Sequence, residues 1–112
     1  MYTLYGIPNC DTVKKAKKKL ESNGVEFEFV NFKKEQPTTK QINNWKKSFG
    51  DWPINKKGRT YKQLKDEIDS LATKEIPGFI AENTSLIKRP ILEEDGNVLC
   101  FGFDEEVIEG LS

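Results

Sequence analysis

YTLYGIPNCDTVKKAKKKL, residues 2–20, changes its hydrophobic period part-way, and that change decides the fold. Tyr2 to Tyr5 are β-prone and apolar, the composition of a short strand. Gly6, Pro8 and Asn9 are turn residues able to end it. From Asp11 or Thr12 onward the apolar residues are Val13, Ala16 and Leu20, at helical spacing. Cys10 therefore stands where a strand, a tight loop and a helix N-terminus meet. Unpaired backbone N–H groups converge at such a junction and the helix dipole is positive, so a thiolate is favoured over a thiol. A free cysteine, with a pKa near about 8.5, is about 3% ionised at neutral pH; a helix N-terminus or a nearby cation raises that fraction. Lys14 and Lys15 follow closely, but lysines in water perturb their neighbours weakly. Two readings of Cys10 stand, a reactive thiolate and a small apolar filler. The junction favours the first.

The 112 residues fit one domain, large enough to bury a core without disulfide or metal staples. Lys and Arg number 18 and Asp and Glu 18, and the pI is 6.3. That balance argues against a protein whose task is gripping a nucleic-acid backbone. No apolar run approaches membrane-spanning length and the chain enters a strand at once, so the expected location is cytoplasmic, with no membrane partner. Cys10 and Cys100 are the two cysteines and histidine is absent. A Cys–His nucleophile pair and a histidine-containing zinc site are excluded, and no metal site is expected. Two distant cysteines make no secreted disulfide framework.

Outward from the opening stretch, Ser22-Asn23-Gly24 reads as a helix exit with Gly24 left-handed. Lys17, Lys18 and Lys19 read as a solvated helix face ahead of a basic docking surface. Val25 to Phe32 alternates as a strand, completing a βαβ unit with parallel strands. Thr38 or Thr39 caps a helix with Ile42, Trp45 and Phe49 on one side, ended by Gly50. Trp45 and Trp52 read as packing residues. WPINKKGR, residues 52–59, has no period; its Asn55, Lys57 and Arg59 form either a surface connection or an anion-binding rim. Thr60 with Gln63 resembles a capping box for a helix carrying Tyr61, Leu64, Ile68 and Leu71. Ile76-Pro77 opens a short helix. Pro90 marks the entrance of an apolar strand, Asp95-Gly96 its hairpin turn, and Val98 to Phe101 the returning strand. Asp104 caps the last helix. The order β-α-β, helices, β-β-α predicts an α/β (α+β) domain, a mixed sheet with helices packed on it.

TLYGIPNCDTVKKA followed far downstream by IKRPIL resembles the ArsC/Spx-type arsenate reductase family, in its YffB-like branch. The likeness runs nearly end to end. It implies a thioredoxin-like fold with a mixed four-stranded sheet, residues 1–32 and 86–112 forming the core and about 33–85 a helical insertion. It implies that Cys10 is the redox nucleophile, that Arg89 contacts an oxyanion or the cysteine's adduct, and that Pro90 is cis. Asn9, Asp11, Thr12, Asn55, Lys57 and Pro90 complete the candidate thiolate-stabilising or substrate-binding set. Glutathione is the implied co-substrate and glutaredoxin a further partner, with no bound cofactor and a monomeric chain. Two of the family's three oxyanion arginines are replaced, one by Asn55 and one near Phe101. Each charge-assisted contact is worth roughly 1.5–3 kcal/mol, so little arsenate reduction is expected. Val13 stands where Spx regulators carry the second cysteine of a Cys-x-x-Cys switch. The implied activity is a glutathione-linked thiol reductase. The alternative is an Spx-like regulator that binds RNA polymerase without redox chemistry. Cys100, on a predicted strand, reads as packing rather than as a resolving thiol.

Overall fold

The structure, a computed structural model, describes residues 1–111. The chain folds as two compact units, the first comprising Met1–Glu35 and the chain from Arg89 onward, the second Gln36–Lys88.

In the first unit β1 (Tyr2–Gly6), α1 (Asp11–Ser22) and β2 (Phe27–Asn31) form the βαβ start. After the second unit come β3 (Ile91–Glu94), β4 (Asn97–Phe101) and α5 (Glu105–Glu109), the labels α2 to α4 being kept for the helices between. The sheet order is β2-β1-β3-β4, with β1 parallel to β2 and antiparallel to β3. This is the mixed four-stranded, thioredoxin-like sheet the sequence predicts.

Each junction has a local cause. Gly24 takes φ 69° after α1; its N–H bonds to Glu21 O and that of Val25 to Leu20 O, closing both carbonyls of the helix end. Those bonds commit Val25 to the exit, so β2 begins at Phe27 rather than at Val25. Asp95 and Gly96, at φ 51° and 87°, make the tight β3–β4 turn. Asp104 Oδ1 accepts from the Val107 N–H at 3.2 Å and caps α5. Leu4, Ala16, Leu20, Val25, Leu92 and Ile108 form the core between sheet and helices, with Phe27, Phe29, Leu99 and Cys100 packed on it. Full burial of a Leu or Ile side chain stabilises by about 1.5–3 kcal/mol.

The α1 lysines divide. Lys18 is exposed. Lys17 Nζ lies 4.4 Å from the Phe29 ring centroid, and Lys19 Nζ reaches Glu109 Oε1 at 2.9 Å and Glu105 Oε1 at 3.4 Å. The solvated-face reading is corrected to that extent: two of the three tie α1 to its neighbours. Gly6, read as a turn residue, is instead the last residue of β1.

The second unit holds α2 (Thr39–Phe49), α3 (Arg59–Asp69) and α4 (Ile76–Glu82), with single 3₁₀ turns at Thr73–Glu75 and Thr84–Leu86. Thr38 makes a full capping box with Gln41, and Gly50 ends α2 at φ 89°. Ile42 and Trp45 are fully buried where α2 packs on α4. The segment around Ile54 pairs antiparallel with Ile87, Asn55 N–H bonding to Leu86 O and Lys88 N–H to Pro53 O. The predicted Thr60–Gln63 capping box does not form. Gly58 is the N-cap and Thr60 lies inside the first turn. The Gly58 N–H bonds to Asn55 O at 3.0 Å, and a Cβ on Gly58 would stand 3.1 Å from Asn55 Nδ2. A glycine turn rather than a hydroxyl therefore sets where α3 starts.

Candidate functional site

The loop after β1 closes through a bond from Cys10 N–H to Ile7 O at 3.2 Å. Cys10 is the N-cap of α1, with extended backbone at φ −92° and ψ 126°, and its carbonyl accepts the first helical bond from Lys14 N–H at 2.9 Å. Val13, one turn in, is fully buried. A Cβ on Gly6 would stand 2.7 Å from Val13 Cγ2. The missing side chain at the end of β1 thus lets the first turn of α1 lie close on the strand, which sets the depth of the sulfur. The sequence marks Gly6 only as a breaker; its packing role depends on a contact seven residues away.

Cys10 Sγ is 3.1 Å from Thr12 Oγ1, and Thr12 Oγ1 donates to the Arg89 carbonyl oxygen at 3.2 Å. The Arg89–Pro90 peptide is cis, and Pro90 O accepts from Gly102 N–H at 2.7 Å. Arg89 Nε is buried and has no hydrogen-bond partner among the described residues. Asn9 and Asp11 flank the sulfur in the chain with exposed side chains.

These neighbours set the thiol's acidity. Partial burial pushes the Cys10 pKa up, but the Thr12 hydroxyl, the Val13 amide, the Arg89 charge and the Thr12 amide together bring it below the ordinary value. The two amides favour the anion without the geometry of a formed side-chain cap. Cys100 shows the opposite case. Burial, and then the Asp104 charge, push it up to about 11. Of the two sulfurs, the one at the helix mouth is the more acidic.

Of the residues marked by sequence, the first unit brings together Cys10, Thr12, Arg89 and Pro90. Asn55 and Lys57 belong to the second unit. There Asn55 Oδ1 accepts from Lys57 N–H at 3.3 Å and shapes the turn into α3, with the Lys57 side chain exposed. Among the described residues no group of acidic, cysteine or histidine side chains could hold a metal ion, and no helix is long and apolar enough to cross a membrane. Sequence reasoning missed the bond from the Thr12 hydroxyl to the Arg89 carbonyl, which only the sheet pairing of β1 with β3 creates.

A cysteine at the mouth of α1 and an arginine before a cis-proline leading into β3 are the two features on which the family resemblance stands. The model of the ArsC family matches residues 5–111. This chain belongs to the ArsC family. An uncharacterized protein of Haemophilus influenzae is 37% identical over 108 residues, covering 95% of this ArsC-family chain and 94% of the relative. The global transcriptional regulator Spx of Staphylococcus epidermidis is 32% identical over 111 residues, covering 96% of this chain and 84% of Spx. The solved structure of a YffB protein superimposes with a TM-score of 0.83 at 30% identity, covering 95% of this chain and 94% of that one.

Proposed function

We propose that this ArsC-family chain is a thiol reductase linked to glutathione, with Cys10 as its redox nucleophile. The observation that carries the reading is the contact of Cys10 Sγ with Thr12 Oγ1 at 3.1 Å, beside the helix amides and Arg89, which together favour the thiolate. The Cys10 thiolate attacks one sulfur of a disulfide between a substrate thiol and glutathione. A Cys10–glutathione bond forms, the S–S bond breaks, and the substrate sulfur leaves as a thiolate. A second glutathione thiolate then attacks the bound glutathione sulfur. Oxidised glutathione departs and the Cys10 thiolate returns. Glutaredoxin is the alternative source of that second thiol. The buried, unpartnered Nε of Arg89 supports a role in holding a carboxylate or the adduct.

Arsenate is a poor substrate in this reading. Arginine occurs in the chain only at positions 59 and 89, and the other positions where the family resemblance expects oxyanion arginines hold Asn55 and a residue near Phe101. A tetrahedral dianion then lacks two bidentate donors.

The test is mass spectrometry after incubation with oxidised glutathione, wild type against Cys10→Ser. The expected result is one glutathione adduct, on Cys10, released by glutathione or glutaredoxin with turnover. An adduct on Cys100 with Cys10 unmodified would overturn the assignment. A second reading, a regulator that binds RNA polymerase without redox chemistry, is favoured by the likeness to proteins named Spx. Retention of purified polymerase by the wild type and by Cys10→Ser alike, without disulfide turnover, would establish it.

A further inference from the structure

Thr12 carries one hydroxyl hydrogen and stands between two acceptors. Its Oγ1 lies 3.1 Å from Cys10 Sγ and 3.2 Å from the Arg89 carbonyl oxygen. A hydroxyl donates once and accepts through its lone pairs. While Cys10 is a thiol, both contacts are satisfied in one arrangement: S–H donates to Oγ1, and the Thr12 O–H donates to Arg89 O. A thiolate has no hydrogen to give. It is stabilised only by a donor, and a hydrogen bond to an ion is about twice as strong as one between neutral groups. The Thr12 O–H can then serve the sulfur or the carbonyl, but not both.

From this accounting the geometry points to Thr12 as a positioning residue whose hydroxyl couples ionisation of Cys10 to the backbone of Arg89. When the thiol proton leaves to water, the hydroxyl hydrogen stays on Oγ1 and turns from Arg89 O to Sγ. The Arg89 carbonyl exchanges that donor for water. The threonine tether on Arg89 is released at the moment its guanidinium gains an anion to attract. Arg89 is thus held by its backbone when the sulfur is neutral and by its charge when the sulfur is ionised. Of the charged groups on the converging elements, Arg89 acts on the sulfur through its charge, whereas Asp11, Lys14 and Lys15 are exposed on α1. β1 and its loop bring no charged side chain to the junction.

The inference rests on Cys10 forming a thiolate, as in the proposed function, but its test needs no disulfide turnover. The ¹³C shift of the Arg89 carbonyl is followed against pH in uniformly labelled protein, alongside the pH dependence of Cys10 alkylation. The expected result is an inflection of the Arg89 carbonyl at the alkylation midpoint, kept in Thr12→Ser and lost in Thr12→Val and Cys10→Ala. Thr12→Val also moves the alkylation midpoint upward. An Arg89 carbonyl that does not titrate, or that titrates unchanged in Thr12→Val, overturns the coupling. Thr12 is exposed, so the valine variant is expected to fold. Loss of glutathione turnover with the carbonyl inflection intact would sink the reductase reading and leave the coupling standing.

Discussion

Replacing Cys10 by serine should remove most of the protein's reactivity toward disulfides, although Cys100 remains. The size of the loss follows from the two environments. Cys100 is pushed up to about 11, so at pH 7 about one molecule in ten thousand carries its thiolate. Cys10 lies below 9.0, so more than about one molecule in a hundred does. Thiolate population alone therefore favours Cys10 by at least about a hundredfold. The more basic sulfur recovers part of that deficit, because intrinsic nucleophilicity rises with pKa at a Brønsted slope of about 0.4–0.5, roughly six- to tenfold over two units. The net advantage of Cys10 is at least about tenfold. Stopped-flow mixing with an aromatic disulfide at pH 7 measures it. Cys100→Ser should keep the fast phase, and Cys10→Ser should lose it. Serine is a good N-cap, so Cys10→Ser should leave the helix start intact. A Cys10→Ser rate comparable to wild type would refute the link between helix mouth and reactivity.

Gly6→Ala forces a Cβ to 2.7 Å from Val13 Cγ2 and should destabilise by about 1–3 kcal/mol in urea melts, with Val13→Ala relieving part of the cost in the double variant. Thr38→Ala removes the capping box of α2 and should cost about 1 kcal/mol, read by the helical circular dichroism signal on denaturation. Arg89→Ala should move the pH midpoint of Cys10 alkylation upward, with Arg89→Lys in between, since lysine keeps the charge and loses the fork. Because the fold depresses the Cys10 pKa, its contribution to stability is lost as pH falls through the folded value and is complete above the unfolded value. The stability of wild type relative to Cys10→Ser should therefore rise across that window, and a flat difference would count against the stabilised thiolate.

The first twenty residues made strand, loop and helix legible because the hydrophobic period changes within them and Gly, Pro and Asn mark the change. The hairpin at Asp95-Gly96 and the cap at Asp104 were legible for the same reason: each is decided by residues within a few positions. The start of α3 departs from the sequence pattern because Thr60 and Gln63 have the spacing of a capping box, while the bond from Gly58 N–H to Asn55 O starts the helix two residues earlier. At the site, Cys10 could be found from its own neighbourhood. Its contact with Thr12 is local as well. The hydroxyl bond to Arg89 O spans 77 residues of sequence and is created by strand pairing, which no local pattern encodes. The site roles of Arg89 and Pro90 come from family resemblance, since a lone Arg-Pro before a strand marks only the strand entrance.

Val13 has one more consequence. Its side chain is sealed against β1, at the position where a neighbouring sulfur would have to emerge to finish the reaction within the same molecule. In the proposed reaction an adduct on Cys10 would have no cysteine on its own helix to discharge it. The lifetime of that adduct would be set by encounter and would shorten in proportion to the surrounding thiol concentration. Under the proposed reaction, such a chain would report the abundance of surrounding reductant through how long it stays loaded.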